Sequence, residues 1–376
     1  MNVVSPAPRE LWSHVVKASP EALAFHTPQW LDCICATGVY EDASLAYEMV
    51  DDRKFIVPLV RRKWLPPQLT TEASPPFGWG CAGPISTEVV RREELGAILV
   101  DLARRKALRV TVRPNPLAEQ PATPPTPGTI LVPLRAFVLD LEGDFEHVWT
   151  KCFKPYVRTR VHKAEAADVL AESDSEGRLV SVFYDLYLKS IDRWARQGEI
   201  PFWLLRAYLR HHESRRKFEI VAKTMRNACR IWVAWVDGKP AASIIVLTFG
   251  ANAYYWRGAM DKELASPTRA NYLLHARAIA QACRDGCRYY QMGETGFDPG
   301  LAQFKASFGA YPRDYVEYRI ERLPITTVRN RLRDVGDGAL AGPSGRGDDR
   351  GGPVVLPFEA SGSAQMRGTG WLQRCP

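Results

Sequence analysis

The chain has 376 residues, 46% hydrophobic and 24% charged, with a formal net charge of +8. This is the composition of a soluble globular protein, long enough for two domains of ordinary size and a tail. No run approaches the roughly 18 apolar residues needed to span a membrane. Met1–Pro6 lacks the basic segment and apolar core of a secretory signal, so the chain reads as cytoplasmic, with no integral membrane association.

In the first section, Phe25–Leu31 reads as a helix start, with Thr27 as cap and Pro28 at the first helical position. Leu45–Val50 and Lys54–Arg61 read as strands joined by Asp51-Asp52-Arg53. Glu93–Lys106 is helical, with Leu95, Ile98, Leu99 and Leu102 on one face, and Leu108–Val112 is a strand. Residues 114–128 hold six prolines and read as a surface excursion or linker.

A second section begins with a strand at Ala136–Leu141. Helices are predicted at Phe145–Phe153, Pro155–Ala167, Leu179–Arg196 and Phe202–His212. Trp232–Val236 and Ala241–Phe249 flank Asp237-Gly238-Lys239-Pro240, a hairpin signal because Asp-Gly accepts φ > 0 at both turn positions. A third strand follows at Ala253–Arg257. Ser266-Pro267 is expected to open a helix whose apolar face is Tyr272, Leu273, Ala276, Ile279, Ala280 and Cys283, ended by Gly286. Cys287–Met292 is a strand closed by Gly293, a short helix carries Phe304-Lys305, and Tyr315–Ile320 is the last strand. From Val335 onward the periodicity is lost and a disordered tail is expected.

The eight cysteines form no Cys-x-x-Cys pair and are not spaced with His for zinc, so no metal is expected. His211-His212-Glu213 lacks His-Glu-x-x-His spacing and reads as a helix end. Gly78-Trp79-Gly80-Cys81-Ala82-Gly83 matches Gly-x-Gly-x-x-Gly, but Pro84 follows at once and no βαβ unit surrounds it. It reads as a structural loop lining a cleft.

The later motifs, taken together, resemble the FemAB-like branch of the GNAT acyltransferases. They are Phe137–Leu141 with Trp149, Arg158-x-Arg160-x-x-Lys163-Ala164-Glu165, Val236–Ala241, Pro267 with Leu273-Leu274, Ala282, Gly286, Gly293 and Phe304-Lys305-x-x-Phe308-Gly309. In the first section Thr27–Leu31, Val57-Pro58-Leu59 and Cys81–Pro84 are similar to the matching elements of the family's first copy. The resemblance covers roughly residues 10–322. It implies an α/β (α+β) fold of two tandem GNAT-like domains, each a mixed, mostly antiparallel sheet flanked by helices. These would be residues 1–130 and 131–325, followed by a disordered tail at 326–376. It also implies a cleft between the lobes and transfer of an acyl or aminoacyl group to an amine. In one respect the chain departs from ordinary GNAT enzymes. Their glycine loop for the CoA pyrophosphate is replaced by Leu264-Ala265-Ser266-Pro267-Thr268-Arg269-Ala270-Asn271.

Acyl transfer to an amine needs a deprotonated nitrogen, a polarised carbonyl and an acid for the leaving group. Lys305, aimed by Phe304, suits the oxyanion or a substrate carboxylate or phosphate. Glu294, at a strand end, suits the general base, with Asp298 as its alternative. Tyr255, among the tyrosines at 254, 255, 289 and 290, suits the acid. The basic run Lys151–Lys163, with Arg158, Arg160 and Lys163, suits phosphates of a nucleotide-linked acceptor or of tRNA. Trp256, Arg257 and Gly83 are further candidates for contact with the acceptor. Ser266, Thr268, Arg269 and Asn271 are placed to hold donor phosphate at a helix N-terminus.

The expected activity is N-acyl transfer from acyl-CoA to an amine of a sugar, nucleotide-linked or peptide acceptor, in cell-envelope or polysaccharide metabolism. Two alternatives stand beside it: an aminoacyl-tRNA-dependent peptide ligase of the peptidoglycan-bridge type, and a non-catalytic binding module. A monomer or homodimer is expected.

Overall fold

The computed structural model describes residues 1–66, 68–120, 126–197, 201–296 and 298–323; the tail expected at 326–376 lies outside them. The first section runs β1 (Asn2–Val4), α1 (Arg9–Ala18), α2 (Pro28–Ala36), β2 (Tyr40–Asp42), β3 (Leu45–Glu48), β4 (Lys54–Val57), β5 (Val60–Arg62), β6 (Thr71–Ser74), β7 (Ile85–Ser86), α3 (Arg92–Leu102) and β8 (Arg109–Val112). It continues with β9 (Thr129–Asp140), α4 (Phe145–His147), α5 (Pro155–Ala166), β10 (Leu170–Asp174), α6 (Val180–Gln197), α7 (Phe202–His212), α8 (Arg215–Met225), β11 (Cys229–Val236) and β12 (Lys239–Phe249). The remainder is β13 (Asn252–Met260), α9 (Lys262–Thr268), α10 (Ala270–Arg284), β14 (Tyr289–Glu294), α11 (Pro299–Ser307) and β15 (Tyr311–Glu321).

The architecture is the expected mixed α/β arrangement, mostly antiparallel, with helices on the sheet faces. One sheet of eleven strands runs β10-β11-β12-β13-β14-β9-β15-β8-β6-β5-β2, and a second of four runs β1-β3-β4-β7. The long strand β15 holds the large sheet together across the two sections. It pairs with β9 over ten residues and with β8 over four.

Alternation along β11–β13 builds two cores at once, because successive side chains leave opposite faces of the sheet. Ile231, Val233, Ile245, Leu247, Tyr254 and Trp256 face α6, α8 and the first-section helices. Trp232, Ala234, Ile244, Val246 and Ala253 face the side covered by α5 and α10. Both faces are dry, so these strands read as nearly continuous apolar runs. A third cluster packs α3, through Leu95, Ile98, Leu99 and Leu102, against β3, β4, β8 and β15.

Several local expectations hold. Asp237 and Gly238 both take positive φ between paired Val236 and Lys239, as a two-residue hairpin loop requires. Thr27 caps α2, its hydroxyl accepting from Trp30 N at 3.2 Å. Three expectations are corrected. Lys54–Arg61 is two strands in different sheets, because Pro58 has no N–H for a continuous ladder. Residues 114–116 are buried rather than on the surface; Asn115 donates to Glu21 O at 2.9 Å and is 2% exposed. Ser266-Pro267 does not open the long helix. Asp261 caps α9 ahead of it through Glu263 N, and α10 starts only after Arg269 turns left-handed at φ +61°.

Removing the Thr27 hydroxyl strips a cap from a helix packed in the first core. Thr27→Ala is expected to lower stability by about 1–2 kcal/mol in urea titration, and Thr27→Ser to restore most of the loss.

Candidate active site

The site begins with a failure of strand pairing. Strands β13 and β14 run parallel and pair over only three residues, Asn252–Tyr254 with Tyr289–Gln291. Both strands continue past the last pair and diverge. Each carries an irregularity where it leaves its neighbour: β13 skips Trp256 against β12, and β14 skips Met292 against β9. An extra residue bends a strand and re-aims its side chains. Arg257 consequently reaches the α7–α8 side, together with Trp256. The wedge between the strands opens into a cleft of about 400 Å³, within the usual range of ligand pockets. One wall is Tyr254–Gly258, the other is Met292–Gly296, and α6, α7 and the loop at Phe77–Gly80 close the far side.

Lys305 borders this wedge but does not project freely into it. It is 2% exposed, and its Nζ donates to Gly293 O at 3.0 Å and Glu294 O at 2.7 Å. The ammonium thus satisfies carbonyls at the diverging end of β14, where Gly293 has φ +71°. Burial pushes its pKa down to about 7, with the Glu294 charge opposing. Phe304 is the expected anchor, with ring centroids 5.1 Å from Tyr272, 5.4 Å from His275 and 5.2 Å from Phe308.

The Glu294 side chain is 30% exposed at the lip of the wedge. Tyr315 donates to its Oε1 at 2.5 Å, and Arg113 Nη1 stands 3.5 Å from the same oxygen. Arg113 also pairs with Glu317, itself paired with Arg319. Burial and the neighbouring carboxylate keep the Tyr315 phenol well above its ordinary pKa. Asp298 lines the cleft too, but its Oδ1 caps α11 through Gly300 N and Leu301 N at 2.8 and 3.0 Å. The Tyr255 ring packs edge-on against His275 at 4.7 Å, and burial pushes its phenol up to about 12. A Cβ at Gly258 would lie 1.9 Å from that hydroxyl, so only glycine leaves room for Tyr255.

On the opposite wall the sequence reading missed a buried ionic cluster. Glu213 accepts from Arg257 Nη2 at 2.9 Å and Lys217 Nζ at 3.0 Å. Both cations also donate to Gly78 O, so the glycine-rich loop of the first section is tied to α7, α8 and β13. Gly78 is required here, because its φ is +81° and a Cβ would lie 2.7 Å from Glu213 Oε1. Burial alone would raise the Glu213 pKa, but Arg257 and Lys217 outweigh it and hold the carboxyl low. Burial pushes Lys217 down to about 8, against the pull of Glu213. The i, i+4 spacing of Glu213 and Lys217 was visible in the sequence; that both would be buried was not.

Of the candidate residues, Lys305, Glu294, its alternative Asp298, Tyr255, Trp256 and Arg257 meet in the cleft, with Phe304 directly behind Lys305. The others do not. Arg158 Nη1 donates to the carbonyls of Trp149, Thr150 and Phe153, which makes it a local brace instead of a ligand contact. Arg160 stacks between Tyr156 and Tyr272 at 4.7 and 4.8 Å, and Lys163 is exposed on α5. Gly83 sits against Pro114, while Gly78 and Gly80 of the same loop line the cleft. Ser266 borders a separate open depression beside Lys189, Arg193 and Lys262. The Thr268 hydroxyl donates to Leu264 O at 2.6 Å and the Asn271 amide to Met260 Sδ at 3.0 Å, so both side chains are engaged within the chain. Arg269 occupies the α9–α10 junction. Among the described residues there is no cluster of metal-binding side chains and no helix long and apolar enough to cross a membrane.

Residues 153–306 match the family described as Acetyltransferase (GNAT) domain. No curated protein matches the chain. The structure is similar to that of FemX, at 12% identity and a TM-score of 0.57, covering 89% of this chain and 99% of that one. It is also similar to a conserved protein of unknown function from Bacteroides thetaiotaomicron, at 11% identity and a TM-score of 0.50, covering 84% and 97%. At these identities the likeness is one of fold.

Two outcomes follow from the buried charges. Glu213→Ala leaves two buried cations without their carboxylate and is expected to cost about 3–5 kcal/mol in chemical denaturation. Lys305 releases its proton near pH 7 when folded and near 10.4 when unfolded. Between those values the unfolded chain holds more protons, so stability rises with pH, by at most about 1.4 kcal/mol per unit. Lys217 adds a contribution of the same sign above about pH 8. The buried cysteines, whose thiols burial pushes up, pull the other way above about pH 8. The readout is therefore a difference: the urea midpoint of the wild type relative to that of Lys305→Met is expected to grow from pH 7 to 9, and a constant difference would refute the buried-lysine assignment.

Proposed function

Because the chain carries a GNAT acyltransferase domain on a FemAB-like fold, we propose that it moves an acyl group from acyl-CoA to an amine. The acceptor is a sugar, a nucleotide-linked precursor or a peptide of cell-envelope or polysaccharide metabolism. The observation that carries this reading is the wedge between β13 and β14, with a carboxylate, a buried lysine and a half-buried phenol around it. A diverging parallel pair offers unpaired backbone groups to an extended donor, and the side chains at its lip supply the three chemical needs of the reaction.

Glu294 takes a proton from the amine; both of its contacts are to Oε1, which leaves Oε2 for the substrate. The nitrogen attacks the thioester carbonyl, and a C–N bond forms. Lys305 stabilises the oxyanion of the tetrahedral intermediate, since two of its three N–H donors are spent on Gly293 and Glu294 carbonyls and one remains. The C–S bond then breaks. Tyr255, kept protonated by burial, gives its proton to the thiolate, and the proton held by Glu294 makes good that loss. The products are an amide and free CoA, with no net change in protons.

One observation supports the second reading, an aminoacyl-tRNA-dependent peptide ligase. The α9–α10 junction has no glycine loop, and the Thr268 and Asn271 side chains are engaged within the chain. A phosphate there would rest on Arg269 and the first backbone amides of α10. Thermal shift with acetyl-CoA and with charged tRNA separates the two donors. Acceptor-dependent release of free CoA from acetyl-CoA, tested on amino sugars, nucleotide-linked amino sugars and peptides, is the expected activity. Glu294→Gln should lower kcat/KM by about 100-fold or more with the melting temperature retained. RNase-sensitive product formation without CoA release would favour the ligase. Full cellular function of Lys305→Ala would favour a non-catalytic module.

A further inference from the structure

The cleft has two chemically different ends. Arg113, Glu294, Asp298 and Arg319 mark one of them. Phe77, Tyr187, Trp194, Tyr208, Leu209 and Trp256 line the other. The second end is built by α6 and α7, which pack against each other and lie between β10 and β11 in the chain. Its aromatic rings are held by one another: Tyr187 packs edge-on against Trp194 at 5.7 Å, and Phe218 supports both Tyr187 and Trp256, at 5.5 and 5.6 Å.

An aromatic pocket often receives a cation, but this one is already supplied. Arg257 lies over the Trp256 ring at 4.9 Å, and Lys217 lies over Trp79 and Trp256 at 4.4 and 5.5 Å. These two cations face a single carboxylate, Glu213. The two cations disfavour an ammonium group at this end, and the aromatic rings with Leu209 offer contact to an apolar one, whereas the carboxylates Glu294 and Asp298 at the far end suit the amine. Trp256 stands on β13 at the position skipped in its pairing with β12, two residues beyond the last pair with the parallel partner β14. Trp256 thereby connects the wedge to the aromatic end, since both belong to one cleft.

We infer that the aromatic end is a subsite for an apolar acyl chain, so that the preferred donor carries a medium-length acyl group instead of acetyl. This rests on the reading of the protein as an acyl-CoA-dependent transferase. Each methylene entering such a subsite adds roughly three- to fourfold in affinity before ordering costs.

The test is calorimetric titration of the full chain with CoA, acetyl-CoA and octanoyl-CoA. Octanoyl-CoA is expected to bind about tenfold or more tightly than acetyl-CoA. Phe77→Ala, at a position 42% exposed, and Trp194→Ala are expected to narrow that gap to about threefold or less. Equal binding of the two thioesters by the wild type overturns the subsite and leaves the acyl-CoA reading in place. So does an octanoyl preference unmoved by both variants. Binding of none of the three overturns the acyl-CoA reading itself, and the subsite with it.

Discussion

The candidate cleft of this molecule depends on a parallel strand pair that gives up after three residues. Most neighbours in the large sheet run antiparallel and stay together, each satisfying the other's backbone. β13 and β14 are joined by α9 and α10, a crossover that sets them parallel, and each is then claimed by a different partner: β13 by β12, β14 by β9. Two strands tied to diverging neighbours cannot remain paired with each other. The skipped residues Trp256 and Met292 mark where the bends are taken up. The opening is thus a property of the sheet, produced far more by topology than by any residue that lines it.

An opened sheet exposes polar backbone, and the chain answers with a buried charge. Lys305 places its ammonium on two carbonyls at the loose end of β14, and burial makes that charge expensive enough to bring its pKa near neutrality. The same arrangement holds the ammonium at a strand end with one donor left and little freedom to lose. On the opposite wall, Arg257 and Lys217 share Glu213 and the carbonyl of Gly78. That cluster joins the first section's glycine-rich loop to the second section's strand. Buried charges of this kind specify which surfaces meet more than they add stability.

The two walls also divide the chemistry of the cleft. The side with Glu294 is polar and linked through Arg113 to Glu317 on β15. The side built by α6 and α7 is aromatic, with its cations already committed. Those helices stand between β10 and β11 in the chain, and α6 packs on β12 and β13, so the aromatic wall belongs to the same core that backs one side of the wedge.

Local chemistry made much of the fold legible in the sequence. The Asp237-Gly238 hairpin, the Thr27 cap, the apolar face of α3 and the Phe304-Lys305 pair all follow from turn geometry, capping and periodicity acting within a few residues. That reading, residue chemistry together with the resemblance those motifs carry, named the fold and six candidates that meet in the cleft. It also nominated Arg158, Arg160 and Lys163, since a basic run looks the same whether it faces a phosphate, a carbonyl or an aromatic ring. Only the tertiary structure decided those fates. It buried Glu213 and Lys217 beside Arg257, brought Gly78 to their charges across more than 130 residues of chain, and set Tyr187, Trp194 and Tyr208 around one cavity. The physical reason is that desolvation depends on what packs from a distance. The same side chain is a solvated charge or a buried one according to neighbours that no local pattern encodes.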